Sequence, residues 1–347
     1  MFNVFGVRVP KQKAEETRRK LAALGVLDRE HRAIQEGDYV VFPVKRPVDG
    51  YAIVKREFPP ARKKPRSIEE YLRPYLTEEE MRKLVKSFDI VGHVAIIEIP
   101  DELLPKKHII GEAILAVHPN VRTVVREVGK HEGIFRIQPV EIIAGEPNLV
   151  TMYREHGAVM RLEVGKTYFS PRLSYERLRI ARLVRPGEVI GALFAGVGPF
   201  PLVIAKKQPA VKKIYAVEIN PDAYKYLVEN IRLNRLEDKI IPFLGDVRDV
   251  VPREFPHQCD RVLMPLPKGA EHFLDVAFTA LKPSGGYIHF YQFAPEEDLY
   301  SRAEKLVREK AKELGWDVKI VNRRKVRPHA PRIYQIVLDI WAKKRES

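Results

Sequence analysis

The run Ala192-Leu193-Phe194-Ala195-Gly196-Val197-Gly198-Pro199-Phe200, with Glu218 closing the next apolar run, constrains this chain more than any other stretch. Val189 to Phe194 read as a buried strand, Gly196 and Gly198 as a tight turn, and Phe200 to Lys206 as the opening of a helix. Glu218 follows the strand Ile214-Tyr215-Ala216-Val217. Glycines in such a turn let a ligand approach the backbone, and an acid on the neighbouring strand accepts hydrogen bonds from ribose hydroxyls. The pattern predicts an adenosine-containing cofactor. Its alternative is a turn in any doubly wound sheet, with no ligand at all.

The glycine spacing narrows the cofactor. A dinucleotide site uses G-x-G-x-x-G, whose third glycine lets the helix pack closely while the helix N-terminus meets a pyrophosphate. Here Gly198 is followed by Pro199, Phe200 and Pro201. Proline has no N–H to offer a phosphate. A pyrophosphate ligand is therefore not expected, and S-adenosylmethionine has none.

From about Gly165 strands alternate with helical stretches: Glu188 to Ala195, Ile214 to Ile219, Ile240 to Leu244, Arg261 to Pro265 and Gly286 to Phe293. That alternation predicts a parallel sheet covered on both faces. Gly196, Glu218, Asp246 and the loop Pro265-Leu266-Pro267 all fall at the carboxyl ends of strands, where such sheets bind ligands. Asp246 has two readings, an acceptor for the adenine amine or the N-cap of a helix starting at Val247. Phe194 reads either as cofactor packing or as core. The proline loop either stacks on a planar base or simply ends a strand.

Ahead of that domain the sequence divides into three parts. Residues 1–58 form a small basic unit with strands at Phe2 to Val7, Tyr39 to Val44 and Tyr51 to Val54, and a helix from Lys11 to Leu24. Residues 59–66, rich in proline and charge, read as a linker. Residues 67–164 read as an α+β domain, with helices at Ile68 to Leu84 and Leu103 to His118, strands at Val94 to Ile99 and Ile134 to Ile143, and a strand pair within Met152 to Val164. Residues 165–347 complete the chain.

Charge bears on the partner. The 347 residues carry a net charge of +15, with basic clusters at Lys55 to Arg66 and Arg323 to Arg332. Each cluster reads alone as a solvated loop; together, in a chain this basic, they predict a nucleic-acid partner. The one cysteine, Cys259, leaves no internal disulfide and fits a cytoplasmic protein. Ten histidines show no zinc spacing, so no metal is expected. No apolar stretch reaches a membrane span and the N-terminus lacks a signal-peptide core, so no membrane association is expected.

Two strings, Tyr168-Phe169-Ser170-Pro171-Arg172-Leu173-Ser174-Tyr175-Glu176-Arg177 and Phe194-Ala195-Gly196-Val197-Gly198-Pro199-Phe200, together with Pro328-His329-Ala330-Pro331-Arg332, resemble the archaeal and eukaryotic-type tRNA (guanine-37-N1)-methyltransferases. The likeness covers nearly the whole chain. It implies a class I S-adenosylmethionine-dependent methyltransferase domain of Rossmann-like α/β fold. An α+β RNA-binding domain and a small N-terminal tRNA-binding domain would precede it, with tRNA as the partner; a monomer is expected. By this resemblance Glu176 is the general base that takes the proton from guanine N1, and Arg136 stabilises charge on the guanine oxygen. From the residues alone, Glu176 reads as a first-turn helix acid and Arg136 as a phosphate-contacting or surface arginine. The resemblance further implies a cofactor wall of Tyr168, Phe194, Gly196, Gly198, Glu218, Ile219, Asp246, Val247, Pro265 and Pro267. The sequence departs from the family twice: Pro265 stands where asparagine is common, and Gly191 near where an acid is usual. Wyosine-pathway relatives and a non-catalytic tRNA-binding protein are the alternatives.

Overall fold

The computed structural model describes residues 4–60, 65–129, 135 and 137–346. They fall into two compact units, Met1–Glu70 and Tyr71–Ser347.

In the first unit, strands Val4–Pro10, Ile34–Glu36, Tyr39–Val44 and Ala52–Arg56 form an antiparallel sheet. Val4–Pro10 lies between Tyr39–Val44 and Ala52–Arg56. Helix Ala14–Ala23 closes one face, burying Leu21 with Val7, Val9, Phe42 and Val44. The helix expected from Lys11 begins instead with a 3₁₀ turn over Lys11–Lys13. The strand Ile34–Glu36, which the sequence did not reveal, is too short to show periodicity.

Two short helices follow, Ile68–Leu72 across the boundary and Glu78–Lys83 in the second unit, where one was expected from Ile68 to Leu84. Pro74 interrupts the pattern, and a capping box between Thr77 and Glu80 starts the second helix afresh. Pro105 likewise splits the expected helix Leu103 to His118 into a 3₁₀ segment, Asp101–Lys106, and an α-helix, Lys107–Val117. That helix packs on a four-stranded sheet ordered Asp89–Val91, Val94–Ile97, Thr123–Glu127, Val140–Gly145. The strand expected from Ile134 to Ile143 starts only at Val140, and Ile134 itself lies outside the described residues. The expected strand pair is present as a hairpin, Val150–Glu155 and Ala158–Glu163.

Seven strands form the large sheet: β1 Val189–Ala192, β2 Lys213–Glu218, β3 Ile240–Leu244, β4 Arg261–Met264, β5 Gly286–Pro295, β6 Trp316–Ala330 and β7 Ile333–Lys344. Their order is β3-β2-β1-β4-β5-β7-β6, parallel from β3 to β5, with β7 antiparallel to both β5 and β6. The order reverses direction at β1, so β1 and β4 flank the switch point where ligands bind. Along each strand alternate residues serve the two faces. Leu193, Val217, Val262, Phe290 and Leu338 face one layer of helices: α4 Val247–Glu254, α5 Leu274–Ala280 and α6 Ser301–Leu314. Ile190, Ala216, Leu263, Tyr291 and Val337 face the other: α1 Ser174–Leu183, α2 Pro199–Lys207 and α3 Pro221–Leu233.

The basic run Arg323 to Arg332, read from sequence as a cluster in a charged loop, is mostly strand β6 and its tip. Three register shifts against β7 mark its length, at Ile320/Asn322, Lys325/Arg327 and Pro328/Ala330. As the edge strand of the sheet it exposes its charges, which discourages pairing with another edge.

Candidate active site

The glycine loop is held from both sides. Leu193 N–H donates to the Leu263 carbonyl at 3.1 Å, and Ala195 N–H to that of Val217 at 2.9 Å, so β4 and β2 anchor the chain as it leaves β1. These bonds support the loop although Gly191 lacks the family's acid; a Cβ at Gly191 would lie 3.1 Å from Cys259 Sγ. Phe194 adopts φ 56°, a left-handed conformation costly for an aromatic residue. Its ring meets Phe273 edge-on at 5.1 Å and packs on the core, as the core reading has it. Gly198, at φ 96°, caps α2, and a Cβ there would strike Leu227 Cδ1 at 2.8 Å. Gly196 differs: a Cβ on it would meet nothing nearer than the Tyr168 carbonyl oxygen at 3.8 Å. The backbone at Gly196 is thus open to a ligand, beside Tyr168, which is 41% exposed.

Glu218, at the end of β2, is the acid facing this loop. Its Oε2 accepts the Gly196 N–H at 2.6 Å and its Oε1 the Asn220 N–H at 2.8 Å. Burial raises its pKa above the usual carboxylate value, while these backbone donors act in the opposite sense. Gly245 N–H donates to the Glu218 carbonyl at 3.0 Å, which brings the turn after β3 alongside. Asp246 in that turn caps α4, accepting the Arg248 N–H at 2.9 Å, and pairs with the Arg248 guanidinium at 2.7 Å. The pairing with Arg248 lowers its pKa. The capping reading of Asp246 therefore describes its geometry, at a position adjoining Glu218. Ile219 is half-buried beside it, and Val247 lies in the core.

After β4 the loop at Pro265 and Pro267 is half-buried and stiffened by two internal tethers. Leu266 N–H donates to the Met264 carbonyl at 2.8 Å and Phe293 N–H to that of Pro267 at 2.9 Å. Phe293 stacks on His329 with ring centroids 3.8 Å apart.

Glu176 lies in the first turn of α1 and is 2% exposed. The Tyr291 hydroxyl donates to Oε1 at 2.7 Å, and Arg179 grips both oxygens, Nη2 to Oε1 at 2.7 Å and Nε to Oε2 at 2.9 Å. Tyr291, on β5, also meets Phe200 of α2 at 6.2 Å between ring centroids, which ties Glu176 to the glycine-loop helix. Arg136 lies outside the described residues. Sequence reasoning missed Arg179, Tyr291, His289 and Asp339, the buried polar groups behind Glu176. His289 and Asp339 showed only as polar residues breaking an apolar strand, as in Tyr287-Ile288-His289-Phe290 and Ile336-Val337-Leu338-Asp339-Ile340, and Arg179, half-buried on α1, had no such mark.

These features fit a nucleoside-bearing cofactor without a pyrophosphate. The open backbone at Gly196 admits a ligand, Glu218 retains acceptor capacity for hydroxyls, and Pro199 removes the N–H that a phosphate would need. Among the described residues no group of His, Cys, Asp and Glu is placed to hold a metal, and no helix is long and apolar enough to cross a membrane. Fold and site define a class I S-adenosylmethionine-dependent methyltransferase.

Comparison with known proteins narrows the class. The family model for the TRM5/TYW2 methyltransferase domain matches residues 151–321, that for the TYW2 N-terminal domain 68–148, and that for the tRNA methyltransferase 5 N-terminal domain 6–52. The tRNA (guanine(37)-N(1))-methyltransferase Trm5b of Pyrococcus abyssi is 41% identical over 96% of this chain and 97% of its own. Its crystal structure aligns with a TM-score of 0.73 over 98% of this chain and 99% of that one. A solved complex of aTrm5 with tRNALeu aligns with the same TM-score at 34% identity, over 97% and 99% of the two chains. The tRNA(Phe) (4-demethylwyosine(37)-C(7)) aminocarboxypropyltransferase of Pyrococcus horikoshii is 35% identical over 80% of this chain and 96% of its own. The chain belongs to the TRM5/TYW2 methyltransferase family.

Proposed function

We propose that this enzyme transfers a methyl group from S-adenosylmethionine to N1 of guanine-37 in tRNA. The observation that carries the reading is the full-length likeness to Trm5b, including residues 6–52, which match the N-terminal domain model of tRNA methyltransferase 5. The aminocarboxypropyltransferase of Pyrococcus horikoshii covers only 80% of this chain.

Bound S-adenosylmethionine supplies an electrophilic methyl carbon on a positively charged sulfur. Glu218 accepts the ribose hydroxyls, and the loop at Gly196 lets the nucleoside lie against the backbone, with Tyr168, Phe194, Gly198, Ile219, Asp246, Val247, Pro265 and Pro267 as the surrounding wall. Guanine N1 faces its pairing partner within a stack, so the base leaves the stack to react. N1 is a poor nucleophile until its proton leaves. Glu176 takes that proton, and Arg136 stabilises the charge that grows on the guanine oxygen. The domain boundaries at 58, 66 and 164 and the monomeric state belong to the same proposal.

Glu176→Gln removes the proton acceptor and keeps the size. Single-turnover methyl transfer to an unmodified transcript should fall about 10²- to 10⁴-fold, with tRNA affinity nearly unchanged; an undiminished rate removes Glu176 from the reaction. A second reading has its own support, since residues 68–148 match the TYW2 N-terminal domain and Pro265 replaces the family's common asparagine. Mass spectrometry of nucleosides separates the two: 1-methylguanosine from an unmodified transcript supports methyl transfer, and its absence, with product formed only on tRNA that already carries the tricyclic base, supports the relative.

A further inference from the structure

Behind Glu176 runs a continuous buried polar chain. The Arg179 guanidinium that grips Glu176 also donates to Asp339 on β7, Nη1 to Oδ2 at 2.6 Å and Nη2 to Oδ1 at 3.1 Å. Asp339 is 3% exposed and accepts from the Asn322 amide at 2.9 Å and from His289 Nδ1 at 2.6 Å. His289 is wholly buried, and its Nε2 faces Arg261 Nη1 at 2.7 Å. A guanidinium can only donate, so His289 Nε2 accepts and Nδ1 carries the proton given to Asp339. Burial lowers the His289 pKa, consistent with a neutral ring. Arg261 is held in turn by Glu188 at 2.8 Å and 3.0 Å. One cation, Arg179, thus serves two buried carboxylates.

The lone pairs of Glu176 can be counted. A carboxylate offers about four acceptor positions, two per oxygen. Oε1 is filled by Tyr291 and Arg179 Nη2, while among the described residues Oε2 accepts a hydrogen bond from Arg179 Nε alone. Arg324 Nε, from β6, stands 3.5 Å from Oε2 with no hydrogen-bond partner among the described residues. Its guanidinium lies over the Tyr175 ring at 5.2 Å. Arg177, next on α1, turns away to Glu155. Among the described residues the groups facing Glu176 are therefore Arg179 from its own helix, Tyr291 from β5 and Arg324 from β6, with Asp339 on β7 acting through Arg179.

We infer that Arg179, shared between Glu176 and Asp339, and Tyr291 are positioning residues that present one free lone pair of Glu176 Oε2, on the Arg324 side, as the proton acceptor. The inference rests on the reading of Glu176 as general base. Asp339 is the residue that sets how much of the Arg179 charge Glu176 receives. With a second anion on the same cation, Glu176 is held in place by a guanidinium that it shares, while Arg324 stands at 3.5 Å on its open side. Removing Asp339's charge leaves Arg179 to Glu176 alone and weakens the base; removing the Tyr291 hydroxyl withdraws a donor and strengthens it.

The two changes have opposite signs, which makes the test sharp. Single-turnover methyl transfer from radiolabelled S-adenosylmethionine to unmodified transcript is followed across pH for Asp339→Asn, Tyr291→Phe and Glu176→Gln. Asp339→Asn should move the acid limb of the rate profile to lower pH by roughly one unit and reduce the plateau about tenfold. Tyr291→Phe should move that limb to higher pH, and neither variant should change the tRNA concentration needed for half-maximal rate. Limbs that stay in place, or that move the same way, overturn the inference. If Asp339→Asn does not fold, the Tyr291→Phe limb decides alone, because loss of one hydroxyl preserves the ring packing. A Glu176→Gln variant with full rate would instead overturn the reading beneath, whereas an inactive Glu176→Gln with unmoved limbs defeats only the positioning role.

Discussion

Glu218 shows how burial and hydrogen bonding divide the work at a single residue. Its carboxylate is taken from water, which raises its pKa, and is held by two backbone N–H donors. Because the folded pKa lies above the unfolded one, the folded protein gives up stability as pH rises through the folded value. Glu218→Gln has no charge to desolvate, but offers one acceptor oxygen where the carboxylate offers two. Affinity for S-adenosylhomocysteine, measured by calorimetry, should fall roughly 10- to 100-fold, about the value of a charged hydrogen bond. The unfolding free energy of the variant relative to the parent should increase with pH across the same window; a constant difference would contradict the desolvation account. Gly196, Gly198 and Glu218 were legible in the sequence because a turn between two apolar runs has few other uses. Asp339 and His289 were not, since a polar residue in an apolar strand declares burial without naming its partner.

Among the elements, α3 and the hairpin Val150–Glu155/Ala158–Glu163 form an unusual joint. Asn230 on α3 and Asn234 at its C-cap, one turn on, replace a missing strand neighbour. Asn234 pairs with both backbone groups of Val159, at 3.0 and 2.6 Å, and Asn230 with both of Arg161, at 2.6 and 2.9 Å. Asn230 donates a further bond to the Val197 carbonyl in the glycine loop at 3.0 Å. Asn230→Ala leaves one buried and two part-buried backbone groups without these partners, and should cost about 3 kcal/mol in urea unfolding while also weakening cofactor binding. A loss below about 1 kcal/mol would mean that water replaces the amide. The parallel strands of the large sheet were legible as apolar runs between helical stretches. β6 was not, because a solvated edge strand rich in arginine has the composition of a loop.

For the molecule as a whole, the excess positive charge governs association with a polyanion. Lys and Arg side chains that neutralise phosphates release condensed counterions, so affinity falls linearly with the logarithm of salt concentration. With a net charge of +15, binding of unmodified tRNA should weaken by about 10²-fold or more between roughly 50 and 200 mM salt, as measured by filter binding. A flat salt profile would refute an electrostatic tRNA interface. Chemistry in single turnover, once tRNA saturates the enzyme, should respond far less to salt.

By itself the order of residues determined the alternating strands and helices, the glycine turn, the acid closing the next strand and the basic character of the chain. Each of these depends on local spacing or on totals, which a linear reading preserves. Only the tertiary structure decided that β7 and β6 extend the sheet antiparallel, and that a side chain from β5 and another from β7 converge on α1 behind Glu176. Those groups are separated by more than a hundred residues along the chain, and nothing in local periodicity encodes which buried charges will share one guanidinium.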